Sequence, residues 1–182
     1  MSNLTYERLR SVISYDPDSG IAIWLPRTPS MFKEGHHSAD NSCASWNARN
    51  AGKIAGGIAA NGYYNISIDG ERYQIHRVIF FYMTERWPIP ICDHRDGDAS
   101  NNKWNNLRET TQGKNTQNKS IQSNNKLGIK WVNWDKQHRK YVAHIRTNSK
   151  NRHLGYFDCP AAAQLVAFIE ADKHFGEFAR SR

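Results

Sequence analysis

The chain has 182 residues, 38% of them hydrophobic, and its 25 Lys and Arg exceed its 17 Asp and Glu to give a formal net charge of +8. That length allows one ordinary domain or two small ones, and the longest apolar run is too short for a membrane-spanning helix. Cys43, Cys92 and Cys159 form no Cys-x-x-Cys pair, which argues against a four-cysteine zinc site and against a disulfide scaffold. Met1–Arg10 has no signal-peptide core, so we expect a soluble cytoplasmic protein without a membrane partner.

The positive charge is concentrated in the last third of the chain. Residues 1–119 carry 14 basic and 12 acidic side chains, net +2, whereas residues 120–182 carry 11 basic and 5 acidic, net +6. Such an excess suits a partner with a negative surface, and nucleic acid is the commonest one. Charge alone does not distinguish this from a merely soluble basic protein.

The first fifty residues contain a predicted helix, a turn and a strand. Residues 4–14 have helical apolar spacing, with Thr5 as a candidate cap. Asp16-Pro17-Asp18-Ser19-Gly20 predicts a turn, and Ile21–Leu25 follows as a short strand. Arg27–Ala51 is polar and aperiodic, so we expect a long loop there and assign it no role.

A hairpin and an apolar helix are predicted next. Apolar and polar residues alternate in Tyr64–Ile68 as in a half-buried strand. Asp69-Gly70 is a favoured hairpin turn, from which Glu71–Ile75 returns. His76–Trp87 has apolar residues at helical spacing, and the prolines just after it are expected to end the helix.

A second strand pair and a polar helix come after the prolines. Ile91–Asp93 is a predicted strand that leads into the polar loop Arg95–Asn105, and Leu107–Thr110 is the return strand. Thr110 or Thr111 is expected to cap a helix that runs to about Ser120. Residues 120–126 have one apolar side chain and are predicted to be a linker.

The tail predicts a complete small architecture of its own. Three strands are expected at Gly128–Trp134, Tyr141–Arg146 and Arg152–Phe157. Pro160–Phe175 is expected to be a helix that begins with its proline, and its predicted apolar face consists of Ala163, Val166, Ala167 and Ile169. The predicted fold class is therefore α+β, with a domain boundary near residue 120 that coincides with the shift in charge.

Asp93, His94 and Asn115 have the chemistry that hydrolysis of a phosphodiester needs. Histidine has the basicity to deprotonate water near neutral pH. Asp and Asn supply the oxygen ligands that a hard divalent cation prefers. Neighbouring residues of a strand point to opposite sides, so Asp93 and His94 can flank one phosphate, and a helix packed across the strands can bring Asn115 to Asp93.

Residues 62–119 resemble the HNH nuclease family and its ββα-metal motif, which spans about residues 88–119. In that family a strand ends in Asp-His or His-His, a loop carries a central Asn, and a helix delivers His or Asn to the metal. The matching positions are Asp93-His94, Asn106 and Asn115, and the stretches His76-Arg77 and Trp87-Pro-Ile-Pro also resemble phage-type and intron-type members.

The resemblance assigns roles to these positions. It implies that His94 is the general base, that Asp93 and Asn115 bind Mg²⁺, Mn²⁺ or another divalent cation, and that Asn106 pins the loop through hydrogen bonds to its backbone. Asn instead of His at the third motif position is expected to bind the metal weakly, which allows single-strand nicking. Two interpretations of His76 stay open here, a packed core histidine and a phosphate contact.

The tail resembles the DNA-binding domain of the ethylene-response-factor type, which lays the open face of a three-stranded sheet in the major groove. The carriers of this resemblance are Gly128-Ile-Lys130, Trp134, Tyr141–Arg146, His153–Asp158, Ala161–Ala163 and Gly176–Ala179. It implies a DNA-facing set of Lys130, His144, Arg146 and His153, with Trp134, Arg139, Tyr141 and Arg152 nearby. Alternation along the strand independently places His144 and Arg146 on the side away from Tyr141, Ala143 and Ile145.

The predicted organisation is a nuclease domain at 1–119, a linker at 120–126 and a DNA-binding domain at 127–182. We expect a metal-dependent endonuclease of the homing kind that nicks or cuts double-stranded DNA as a monomer or dimer, in the host cytoplasm if a phage encodes it. The alternatives are a DNA-binding regulator with an inactive HNH relic and, ranked last, a ribonuclease, because the deep groove of an RNA duplex would not admit the sheet.

Overall fold

The computed structural model describes residues 3–60, 62–118, 121, 125–147 and 150–179. They form two compact units, Met1–Thr110 and Thr111–Arg182. This division falls nine residues before the end of the predicted nuclease domain, because the helix after Thr111 packs against the helical turn Gly176–Phe178. Most of the predicted linker lies outside the described residues. Every helix in the described part of the chain is too short or too polar to cross a bilayer.

The first unit begins with a capped helix and a hairpin. Helix α1 (Tyr6–Val12) starts after Thr5, whose side chain accepts a hydrogen bond from the Arg8 amide, as predicted. Strands β1 (Ile13–Asp16) and β2 (Ile21–Trp24) pair in antiparallel register around the predicted turn. The predicted helix was two residues too long, because residues 13 and 14 pair with β2 instead.

The expectation of an unbroken loop over Arg27–Ala51 is wrong. Residues Ala39–Asn50 form helix α2, and the Ser38 side chain caps it by accepting from the Asn41 amide. Its one buried residue is Cys43. A helix without an apolar stripe has no periodic signal in its sequence, which is why apolar spacing does not find it.

The predicted hairpin at 64–75 is confirmed, except that Ile75 already belongs to the next helix. Strands β4 (Tyr64–Ile68) and β5 (Glu71–Gln74) pair around Asp69-Gly70, and the two-residue strand β3 (Gly57–Ile58), which was not predicted, joins the other edge of β4. Both turn residues have positive φ, 52° and 85°. Asp and Gly tolerate that conformation better than other residues do.

Helix α3 (Ile75–Thr84) is the centre of the first core. It packs on α1, β4, β5 and the strand that carries Asp93, and its side chains join a cluster whose fully buried members include Leu9, Val12, Ile13, Ile66, Ile68, Val78 and Ile79. The helix ends three residues before the predicted end at Trp87. Glu85 adopts a left-handed conformation and its amide bonds to the Phe81 carbonyl, so the chain has already left the helix before Pro88.

Strands β6 (Ile91–His94) and β7 (Leu107–Thr110) form the last sheet of the first unit. The predicted bounds are confirmed to within one residue.

In the second unit, helix α4 (Gln112–Asn118) comes first, and the Lys114 amide bonds to the Thr111 side chain. The predicted end of this helix at Ser120 lies outside the described residues.

The rest of the second unit is a three-stranded antiparallel sheet covered by a helix. Strands β8 (Val132–Asp135), β9 (Lys140–Thr147) and β10 (Lys150–Phe157) lie in the order β10-β9-β8. Strand β8 begins four residues later than predicted, because Gly128 and Trp131 both have φ near 63° and are not extended.

Helix α5 (Pro160–Phe175) has the predicted bounds. It meets the sheet through Ala163 and Ala167, which pack against Val132 and Ala143. The predicted apolar face is partly wrong, because Ile169 is 46% exposed. Buried alanines define the face that contacts the sheet, since their small side chains let the helix lie close to the strands.

Candidate active site and nucleic-acid interface

Asp93 and His94 lie next to each other at the end of β6 and point to opposite sides of the strand. Asp93 is opposite Arg108 and His94 is opposite Leu107 in the antiparallel register. The side of β6 that carries Cys92 and His94 is buried, whereas Ile91 and Asp93 are partly exposed. The two side chains therefore point to opposite sides of the strand, as predicted, whereas their flanking of a phosphate stays a prediction.

The Asp93 carboxylate has a cationic neighbour that the sequence did not single out. Arg108 Nη2 lies 3.3 Å from Asp93 Oδ2, and the two side chains are 4% and 11% exposed, in that order. This ion pair holds the Asp93 carboxylate against the Arg108 guanidinium of the paired strand. The same guanidinium can bind a phosphate oxygen, so Arg108 belongs to the candidate site.

The His94 imidazole is 4% exposed and is held on two sides. Its Nε2 lies 3.1 Å from Oδ1 of Asn102, and its ring packs edge-on against the ring of His76 with the centroids 4.9 Å apart. A ring fixed in this way cannot rotate freely, which suits a base that must meet one water molecule. The imidazole is shielded from solvent in the protein alone.

His76 is a core residue rather than an exposed phosphate contact. It is 3% exposed, and Nδ1 has no hydrogen-bond partner. Burial, reinforced by His94 and Arg77, lowers the pKa of His76 to about 3. The ring is therefore neutral at physiological pH and serves as packing behind His94, which decides between the two interpretations that the sequence left open.

Asn106 ties together the loop between β6 and β7. Its Oδ1 accepts from the Asp96 amide at 3.1 Å, and its Nδ2 donates to Asp96 Oδ1 at 2.9 Å and to the Asn101 carbonyl at 2.7 Å. The Asp96 carboxylate also accepts from the Asp98 amide and from Asn101 Nδ2, and these hydrogen bonds help to lower the pKa of Asp96. The geometry matches the pinning role that the resemblance implied for Asn106.

The β1–β2 hairpin holds the same loop from outside. The Tyr15 hydroxyl donates to the Asn102 carbonyl at 2.8 Å, and the Trp104 amide donates to the Pro17 carbonyl at 3.0 Å. At Gly20, where φ is 76°, an added Cβ would lie 2.6 Å from the backbone nitrogen of Lys103. Only glycine allows the turn to approach the loop this closely.

Asn115 lies on α4, one turn after Thr111, and its amide bonds to the Thr111 carbonyl. It belongs to the second unit by its contacts, whereas Asp93 belongs to the first. The meeting of Asp93 and Asn115 around one cation therefore stays a prediction.

Three of the predicted DNA contacts share the sheet face that points away from α5. His144 is directly opposite His153, and Arg146 is opposite Asn151; residues in opposite positions share a face. Ala143 and Ile145 on the other face are fully buried. The predicted alternation along β9 is confirmed. Burial and the neighbouring His153 lower the pKa of His144.

The other members of the predicted set lie elsewhere. Trp134 and Tyr141 are opposite each other on the side that carries Val132 and Ala143, with ring centroids 4.8 Å apart. Arg152 is on that side too, and its Nη1 lies 3.3 Å from Glu170 of α5. Arg139 is exposed in the β8–β9 turn, and the Lys130 ammonium lies 4.8 Å from the centre of the Trp131 ring. Arg152 is therefore ion-paired on the helix side of the sheet, whereas Arg139 is exposed in the turn.

Among the described residues, no group of three or more His, Cys, Asp or Glu side chains could hold a metal ion. The predicted ligands Asp93 and Asn115 are one carboxylate and one amide. Both groups present the hard oxygen atoms that suit a divalent cation such as Mg²⁺. The donor set therefore fits the predicted cofactor in its chemistry.

A family model described as HNH endonuclease matches residues 73–117. The match includes β6, the loop, β7 and most of α4, and all four predicted motif positions lie in it. The chain carries an HNH endonuclease domain. The matched segment extends past the division at Thr110–Thr111 and includes Asn115.

Two curated relatives resemble the chain. It is 29% identical over 90 residues to "DNA endonuclease I-HmuI" of Bacillus phage SP01, with 47% of this chain and 52% of the relative covered. It is 31% identical over 118 residues to "Uncharacterized HNH endonuclease L560" of Acanthamoeba polyphaga mimivirus, with 64% of this chain and 60% of the relative covered. The chain thus spans only about half to three fifths of the length of these relatives.

A solved structure entitled "DNA binding and cleavage by the HNH homing endonuclease I-HmuI" also matches, with a TM-score of 0.40 and 18% identity over 84% of this chain and 77% of that one. The family model and the two relatives are what identify the HNH domain.

Sequence reasoning missed three residues of the candidate site, Tyr15, Asn102 and Arg108. Asn102 stands in an Asn-rich loop where such residues usually form turns, and Tyr15 is 87 residues away from it. Arg108 could have been found from the sequence. It lies two positions after Asn106, on a strand that is predicted to pair with β6. That pairing places a cation opposite Asp93.

Proposed function

We propose that the protein is a metal-dependent endonuclease of the homing kind that hydrolyses phosphodiester bonds in double-stranded DNA. The observation that carries the proposal is the pair Asp93 and His94, side by side on β6 with opposite orientations, inside a segment that matches the HNH endonuclease model. The viral origin of both relatives supports a phage or viral gene whose product acts in the cytoplasm of the host.

In the proposed reaction, His94 takes a proton from a water molecule beside the scissile phosphate. The water oxygen forms a bond to phosphorus while the bond from phosphorus to the leaving sugar oxygen breaks, and solvent protonates the leaving oxygen. A bound divalent cation supplies charge neutralisation at the phosphate and the leaving oxygen. Asp93 and Asn115 would hold it, Asn106 keeps the loop in shape, and Arg108 holds the Asp93 carboxylate.

We further propose that the open face of the β8–β10 sheet binds the DNA, as the ethylene-response-factor resemblance implies. His144, Arg146 and His153 share that face, and the tail from residue 120 has a net charge of +6. A two- or three-stranded sheet fits the major groove, where Arg can donate to guanine or clamp phosphates. Lys130 and Arg139 add phosphate contacts at the edge of the sheet.

The test is a plasmid assay with the full chain. We expect Mg²⁺ or Mn²⁺ to support conversion of supercoiled plasmid to nicked or linear product, and EDTA to abolish it. Asp93→Ala and Asn115→Ala should each raise the metal concentration needed for half-maximal cutting. If folded protein cuts neither plasmid nor phage genomic DNA with any divalent ion, the proposal is wrong.

The competing function is a DNA-binding regulator with an inactive HNH relic. Two observations favour it, the burial of His94 and the ion pair that already neutralises Asp93. Such a protein would bind DNA tightly and with strong salt dependence but would need no metal. Binding that is equally tight with EDTA and with Mg²⁺, together with absent cleavage, would favour the relic.

A further inference from the structure

The side-chain amide of Asn102 has a defined orientation. Its Nδ2 donates to the Ser100 carbonyl at 3.1 Å, which turns Oδ1 toward His94. An amide oxygen accepts hydrogen bonds and cannot donate them. The 3.1 Å contact with His94 Nε2 is therefore a hydrogen bond only if Nε2 carries the proton, and in the neutral ring the basic nitrogen is then Nδ1.

The position of Asn102 is set by contacts outside its own loop segment. Its carbonyl accepts from the Tyr15 hydroxyl at 2.8 Å, and burial raises the pKa of Tyr15, so this hydroxyl stays a donor at neutral pH. The Gly20 turn lies against the same peptide, since an added Cβ would be 2.7 Å from the Asn102 carbonyl carbon. The hairpin thereby fixes where Oδ1 can lie.

The orientation of the His94 ring is fixed independently of that hydrogen bond. The His76 ring packs against it at an interplanar angle of 65° with the centroids 4.9 Å apart. His76 is itself buried on α3. Helix α3 therefore sets the plane of the imidazole, and Asn102 selects which of its two nitrogens carries the proton.

We propose that Asn102 is a positioning residue for His94, which holds the neutral imidazole as the Nε2–H tautomer and leaves Nδ1 as its proton acceptor. Tyr15 is the residue that holds Asn102 in place. The tautomer assignment stands on the hydrogen bonds alone. Its consequence, that the water proton goes to Nδ1, rests on the proposed nuclease function.

The decisive measurement is the ¹⁵N spectrum of the histidine rings in the full chain near neutral pH, with His94→Gln used to assign the His94 signals. We expect wild-type protein to show a protonated Nε2 and an unprotonated Nδ1 for His94. A protonated Nδ1 with an unprotonated Nε2 would overturn the proposal. This readout needs neither metal nor DNA.

Asn102→Ala tests the cause. We expect its His94 signals to show both tautomers, and kcat for plasmid cutting to fall about 10- to 100-fold while KM for DNA changes less than twofold. Asn101→Ala is the matched control, since Asn101 lies in the same loop and bonds to Asp96. Equal loss of the tautomer in both variants would show that loop integrity, not the Asn102 amide, selects it.

A rescue variant covers the case in which Asn102→Ala does not fold. Asn102→Asp loses the Nδ2 donation to Ser100 but keeps an acceptor oxygen beside His94, so we expect Nε2 to stay protonated. An unprotonated Nε2 in this variant would contradict the proposal. If wild-type protein shows the expected tautomer but cuts no DNA, the nuclease function fails while the assignment of Asn102 stands.

Discussion

The loop between β6 and β7 and the open face of the β8–β10 sheet present their functional side chains in opposite ways. In the loop and the strand residues beside it, the four residues His94, Asn102, Asn106 and Arg108 are all buried, and hydrogen bonds from distant parts of the first unit hold the loop. On the sheet face, Arg146 and His153 are exposed. Their positions follow from strand alternation over a core of small side chains.

This difference indicates different tolerances to change. A buried polar network loses much when one member is removed, because the remaining groups are left without partners. An exposed cation on a sheet is removed without consequence for the strands beneath it. We therefore expect substitutions in the loop to affect chemistry and stability, and substitutions on the sheet face to affect DNA affinity alone.

The largest expected effect is that of His94→Ala on cleavage. Loss of a general base lowers the rate by about 10² to 10⁴-fold, and affinity for DNA should change less than threefold because the sheet face is intact. Rates from single-turnover plasmid cutting and affinities from gel shift, measured side by side, check this. A parallel loss of affinity would break the comparison, since it would make the loop part of the binding surface.

The second effect is the acid sensitivity of the first unit. The folded-state pKa of His76 lies at about 3, below its ordinary value, so the unfolded chain binds more protons between that pH and about 6.5. The contribution of the neutral His76 to the free energy of unfolding is therefore fully present above about pH 6.5. It is lost as the pH falls, by on the order of 3 kcal/mol at pH 4.

Urea unfolding at several pH values measures this loss, and His76→Phe is the matched variant without a titrating group. Its stability should vary less with pH than that of wild type. If both proteins lose stability equally between pH 6.5 and 4, the buried imidazole does not drive the acid sensitivity.

Asn106→Ala is expected to destabilise the first unit by about 2–3 kcal/mol, because three hydrogen bonds of the loop are removed and their partners are partly buried. The midpoint of urea denaturation measures this. Asn105→Ala is the control, since Asn105 is exposed and adjacent. Equal midpoints for the two variants would show that the network contributes less than its geometry suggests.

Arg146→Ala should weaken DNA binding by about 1–3 kcal/mol if the side chain contacts a base, with no change in unfolding. Arg152→Ala is the matched control on the same sheet, because Arg152 lies on the helix side near Glu170. Titrations at two salt concentrations separate base contacts from phosphate contacts. A larger loss from Arg152→Ala would place the DNA on the other side of the sheet.

The order of elements was largely predictable from local signals. The hairpin at 64–74, the β6–β7 pair and the bounds of α5 follow from alternation, turn residues and a proline at the first turn, all of which act over a few residues. The motif positions were predictable because the resemblance depends on residue types in a fixed order. Helix α2 was missed because no apolar stripe marks it.

The sequence by itself determined the alternating faces of β9, the motif of the HNH domain and the basic charge of the tail, because each depends on residue type and short spacing. Only the tertiary structure decided that His76 is core, that Arg108 faces Asp93, that Arg152 turns toward α5, and that Tyr15 reaches Asn102. These contacts join residues that are as much as 87 positions apart. Packing of separate elements brings them together, and no local preference of the chain encodes that packing.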